Sequence, residues 1–138
     1  MKKIGFISAK RISPGCVEVT YTNRQAAGAQ AAEAFFIADE ACEVVAASES
    51  HSAAESTAGS LAIDIVKEAS GDAAGTSTTS VLASTFDGKG TADTPQRKEG
   101  SATLANKQLA QGDRLSFKPD AAGTELTGVI ITVELKYI

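Results

Sequence analysis

Apolar and polar residues alternate most regularly at the end of the chain. From Thr127 to Tyr137, residues Val129, Ile131, Val133, Leu135 and Tyr137 fall on one side and Ile130, Thr132, Glu134 and Lys136 on the other. That is the period of a strand with one dry face and one wetter face. At about 3.3 Å per residue, such a strand reaches roughly 36 Å, enough to cross a small sheet. The same period recurs over Cys16–Thr22, where Val17, Val19 and Tyr21 alternate with Glu18 and Thr20. It recurs over Leu61–Glu68, where Leu61, Ile63 and Ile65 alternate with Ala62 and Asp64. Cys42–Ser48, carrying Val44 and Val45, and the short Val81–Phe86 predict further strands. Phe35-Phe36-Ile37 is the densest apolar cluster of the first half, and Leu115 and Phe117 alternate with Arg114 and Ser116.

Turn signals separate these runs. They are Pro14-Gly15, Ala38-Asp39-Glu40, Asp87-Gly88, Gln111-Gly112-Asp113 and Pro119–Gly123. Asn23–Ala34 suits a loop or a short helix, the latter weakened by Gly28. Ser48–Ser60, which holds His51, and Gly71–Thr79 have loop composition, Gly90–Gly100 is polar, and Ala102–Leu104 has the makings of a weak pairing. Helical periodicity is nowhere sustained. Roughly seven or eight strands at this spacing predict an all-β fold: a single jelly-roll-like or related β-sandwich over 15–138. Residues 1–14 stand before it as an N-terminal arm or edge strand.

Composition narrows the reading. The 138 residues favour one domain with a core of its own. Aromatics are only 5% and Trp is absent, so large core-fillers are scarce and association with copies or a partner adds stability. A net charge of −4 with dispersed Lys and Arg argues against nucleic-acid binding. The apolar start is short and closed by Lys10 and Arg11, unlike a signal peptide, and no apolar run is long enough for a membrane helix. The chain thus reads as cytoplasmically made, with no membrane partner. Cys16 and Cys42 read as two reduced, partly buried thiols rather than a secreted disulfide framework.

Reactive constellations are weak. A nucleophilic site would need Cys16 or Cys42 beside His51, and zinc would need closer ligand spacing than Cys16, Cys42 and His51 offer. His51 reads instead as a polar loop residue or an interface donor. Asp39-Glu40, Asp64 and Asp113 are explained by turns and a solvent face. Asp87-Gly88-Lys89-Gly90 lacks the leading Gly and trailing Ser/Thr of a phosphate loop. The residues therefore imply no enzyme, no cofactor and no metal.

Phe-Phe-Ile-Ala-Asp-Glu-Ala-Cys-Glu-Val-Val-Ala-Ala-Ser-Glu-Ser-His-Ser (Phe35 to Ser52), Leu-Ala-Gln-Gly-Asp-Arg-Leu-Ser-Phe (Leu109 to Phe117) and Gly-Thr-Glu-Leu-Thr-Gly-Val-Ile-Ile-Thr-Val-Glu-Leu (Gly123 to Leu135) carry a family likeness. They resemble stretches of the head decoration, or cement, proteins of tailed bacteriophages. The resemblance implies an all-β module on the capsid exterior of a virion, a homotrimer bound between subunits of the major capsid protein. On that reading Met1 to Ser13 faces the capsid. Lys2, Lys3, Lys10 and Arg11 would meet acidic surface, and Ile4, Phe6 and Ile7 would add apolar contact. The alternative is a head, neck or tail fibre or knob that binds a receptor or carbohydrate. Such sites favour exposed aromatics, and Tyr21 and Tyr137 both fall on expected core faces.

Overall fold

The computed structural model describes residues 9–13, 15–57 and 59–138, the first of these stretches by its backbone. The strands are β1 (Ala9–Ser13), β2 (Cys16–Thr22), β3 (Glu33–Ile37), β4 (Cys42–Ser50), β5 (Ala62–Glu68), β6 (Phe86–Asp87), β7 (Gln96–Glu99), β8 (Gln108–Leu109), β9 (Arg114–Pro119) and β10 (Ile130–Tyr137). One helical turn, α1 (Leu104–Lys107), precedes β8. They form two antiparallel sheets. The larger runs β1-β2-β10-β4-β7, with β8 also pairing with β4; the smaller runs β3-β9-β5-β6. The fold is an all-β sandwich, as the alternation predicts.

The terminal strand is central to the larger sheet. Ile131, Val133 and Leu135 sit opposite Tyr21, Val19 and Val17 of β2 and opposite Glu49, Ala47 and Val44 of β4. From the smaller sheet, Ile63, Ile65, Leu115, Phe117 and Phe86 close the core with essentially no exposure. The Tyr21 ring joins the sheets, with centroids 4.9 Å from Phe35 and 5.4 Å from Phe117. Such offset ring pairs strengthen a core beyond simple area burial.

Among the described residues the strand pairing shifts register at three places, one of them between Arg11 and Ser13 in the β1–β2 pair. Between Ala34 and Phe36 the β3–β9 pairing slips by one residue, and both Phe35 and Phe36 are buried. Between Glu134 and Leu135 the partner on β4 jumps from Ala46 to Val44, leaving Val45 as the extra, exposed residue. A bulge of this kind re-aims neighbouring side chains.

Some expected boundaries move. The terminal strand begins at Ile130 rather than Thr127, although Val129 is still buried and accepts the Asn23 N–H at 2.9 Å. Val81–Phe86 reduces to a bridge at Leu82 and the two-residue β6. Within the polar Gly90–Gly100 stretch lies β7, whose residues have no apolar alternation to betray it. Ala102–Leu104 does not pair; α1 begins there instead.

The connection after β5 lies against the outer face of the smaller sheet. Lys118 Nζ donates to the Ser77 carbonyl at 2.6 Å, Arg114 donates to the Ala69 carbonyl at 3.2 Å, and the Gly75 N–H bonds to Glu68. Gly75 has φ +81 and approaches Ala32 too closely to carry a Cβ. This cover explains why Val66 and Ser116, which alternate away from the core, are nonetheless buried.

The facing of β10 is testable. Ile131→Ala is expected to lower unfolding free energy by about 2–5 kcal/mol. Thr132→Ala, one residue along on the other face, is expected to cost about 1 kcal/mol or less. Urea denaturation of both variants measures this, and equal losses would reject the assigned faces.

Candidate functional site

The outer face of the larger sheet is broad and built of short side chains. Across it run the rows Thr22–Ile130–Ser50, Thr20–Thr132–Ser48–Arg97 and Glu18–Glu134–Ala46–Glu99. These residues are half-buried to exposed, apart from Ala46, and Ile130 keeps 47% of its surface open. Arg97 meets the Glu134 carboxylate with two N–H groups at 2.7 and 3.3 Å, in a fork that reaches from β7 over β4 to β10. Small Ala46 lies between them and is fully buried. The Arg97 hydrogen bonds hold Glu134 below the usual carboxylate range.

At the margin of this face stands β1, paired with β2 through Ala9↔Val19, Lys10↔Glu18 and Arg11↔Val17. Lys10 and Arg11 thus belong to an edge strand of the sandwich. Lys2, Lys3, Ile4, Phe6 and Ile7, the rest of the expected capsid-facing set, lie outside the described residues.

The histidine stands outside the strands, as a polar loop residue, but it is buried. His51 follows β4, continuing the inward row of Ala47 and Glu49, and its side chain is fully buried beside that of Glu49. Its Nδ1 is 2.8 Å from Glu49 Oε1, and its Nε2 is 2.9 Å from the Gly90 carbonyl oxygen. Gln96 Nε2 donates to Glu49 Oε2 at 3.2 Å and to the Asp87 carbonyl at 2.8 Å. Burial alone would depress the imidazole. The hydrogen bonds to Gly90 and Glu49, with the negative charges of Glu49 and Asp87, raise it above its ordinary value. Burial also raises Glu49, against the opposing pull of His51.

Cys42 stands at the other end of β4, nine residues and about 30 Å of extended chain from His51. Both cysteines are free. Cys42 faces inward opposite Tyr137, and Cys16 is opposite Lys136 on the outward row. Burial, then the charges of Asp39, Glu40 and Asp113, push the Cys42 thiol up to about 12. The structure therefore does not bring Cys16, Cys42 and His51 to one point. Among the described residues no cluster of His, Cys, Asp or Glu is arranged to hold a metal ion.

A second buried carboxylate anchors loops. Glu55 accepts the Thr124 N–H at 2.6 Å, the Thr124 hydroxyl at 2.8 Å, the Glu125 N–H at 3.1 Å and the Thr57 hydroxyl at 2.7 Å. These donors, Thr57 and Thr124 first, hold its carboxyl far below the usual range. Sequence reading missed Glu49, Glu55 and Gln96. For Glu49 a signal existed: Glu-x-His at strand spacing puts both side chains on one face.

Among the described residues lie two shallow clefts. One of about 500 Å³ is lined by Thr22, Arg24, Gln25 and Glu33. Another, about 230 Å³, lies between Asp64, Lys118, Thr78 and Asp120. Among the described residues no helix is long and apolar enough to cross a membrane. No family model, curated protein or solved structure matches the chain.

The Glu55 anchor predicts an acid-side dependence. Its folded pKa is depressed, so its stabilisation is complete above the ordinary value of 4.5 and is lost as pH falls toward the folded value. Glu55→Gln is expected to lower Tm at neutral pH, and the gap to the native chain is expected to narrow toward about pH 3. Thermal melts across that range measure it; a gap independent of pH would reject the role.

Proposed function

We propose that the chain is a structural protein of a virion surface, a decoration protein that binds between major capsid protein subunits on the outside of a phage head, as a trimer. The observation that carries this reading is the outer face of the larger sheet with β1 along its edge. A wide face of Thr, Ser and fork-paired charge, with one exposed Ile130, is suited to lie flat on another protein. The stretches with phage likeness build that sheet's centre and the strands opposite it, β3, β4, β9 and β10.

The mechanism is one of linkage. A module that binds the assembled lattice, but not separated subunits, adds its binding free energy to the stability of the shell. Each contact needs only a standard interface, because many copies act on one particle. Lys10 and Arg11 on β1, together with Lys2, Lys3, Ile4, Phe6 and Ile7 before it, supply the basic and apolar groups for an acidic capsid surface.

Deletion of residues 2–12 tests the reading. The truncated chain is expected to keep its β-sheet circular dichroism and to lose co-sedimentation with expanded capsids of the phage that encodes it. Undiminished co-sedimentation would reject the arm as the contact. Absence of the intact protein from purified virions would reject the function.

A further inference from the structure

The connection between β6 and β7 crosses from one sheet to the other, since β6 pairs with β5 and β7 with β4. His51 grips this crossing at two points. Its ring Nε2 meets the Gly90 carbonyl at 2.9 Å, and its own carbonyl accepts the Asp93 N–H at 2.7 Å. The crossing is a demanding piece of backbone. Asp93 is in the left-handed region with φ 57, which a side chain such as Asp adopts at a cost. At Gly90 the fit is tight: a Cβ would sit 2.8 Å from Gln96 Nε2 and 3.1 Å from the Asp87 carbonyl, so the Gln96 amide would have to shift.

The hydrogen-bond geometry fixes how many protons this corner must hold. A carbonyl only accepts, so Nε2 carries a hydrogen. Nδ1 faces a carboxylate oxygen at 2.8 Å, and one hydrogen must lie between them, on the ring or on Glu49. Without it, two lone pairs would oppose each other inside a buried pocket. The pair therefore retains one proton that an exposed imidazole and carboxylate surrender near neutrality. The groups acting on the ring are Glu49 on β4, Asp87 on β6 and the Gly90 carbonyl, and Gln96 on β7 donates to Glu49. None of them is a cation that would replace the proton.

We propose that the Glu49–His51 pair is a pH-sensitive latch that clamps the 88–95 crossing to the end of β4 and releases it when the shared proton is lost. The raised imidazole pKa gives the sign. The latch is fully closed below the ordinary value of 6.5 and opens as pH rises through the higher, folded value. The two groups titrate as a unit, so the transition belongs to the pair.

His51 is the sole histidine of the chain, so its ring signals need no assignment by mutation. The native chain, labelled with nitrogen-15, is titrated from about pH 6 to pH 10, past the ordinary imidazole value. The ring is expected to hold its shared proton beyond that value. Above it, the exchange protection of the Asp93 amide, corrected for intrinsic rate, is expected to fall about tenfold per pH unit until the pair has titrated. In Glu49→Gln the amide nitrogen donates to Nδ1 and the amide oxygen accepts from Gln96, so no extra proton is needed. That variant is expected to keep Asp93 protected with a flat pH profile. A native ring that titrates at the ordinary value, Asp93 protection flat across the native transition, or an unchanged slope in Glu49→Gln would each overturn the latch. Should Glu49→Gln not fold, the native titration decides alone.

Discussion

The inward row of β10 is the constraint on which the sandwich depends. Ile131, Val133 and Leu135 are buried along one strand that is flanked by β2 on one side and β4 on the other, and Val129 just before it is buried too. A slip of one residue would turn this row to water and bring Ile130, Thr132, Glu134 and Lys136 into the core. Each inward side chain contributes about 1.5–3 kcal/mol by burial, so the register is strongly specified. Everything on the outer face follows from it, including the Arg97–Glu134 fork and the Thr and Ser rows that cross the sheet.

Polar burial is concentrated at the ends of the strands, where the connections need it. Glu49 and His51 satisfy the 88–95 crossing, and Glu55 satisfies backbone N–H groups of the 124–125 segment. Backbone groups that leave a sheet must find partners elsewhere. In a chain this poor in aromatics, such carboxylate anchors do for the loops what large side chains do for the middle of the core.

The strands with a clear period of two were legible in the sequence: β2, β5 and β10 stand where alternation put them, apart from a late start for β10. The reason is that one face of each meets the core. The polar β7 carried no such mark, because Gln96–Glu99 pairs with β4 without contributing an apolar side chain. The bulges were equally hidden. Phe35 and Phe36, or Val44 and Val45, look alike as neighbours, and only the partner strand decides which is the extra residue. The burial of His51 was hidden for a related reason. Its surroundings, Ser48 to Ser60, have the composition of a loop, but the strand row through Ala47 and Glu49 carries it inward.

The two broad sides of the sandwich differ in kind. On the smaller sheet, the segment after β5 is tied down by Lys118, Arg114 and Glu68, and it screens Val66 and Ser116 from solvent. That side is covered in part by the chain's own backbone, whereas the outer face of the larger sheet is not. The covering segment also carries Ala73, exposed and outside the left-handed backbone region. A peptide tag or dye grafted there is displayed on the opposite side from the larger sheet and leaves that sheet's outer face unaltered.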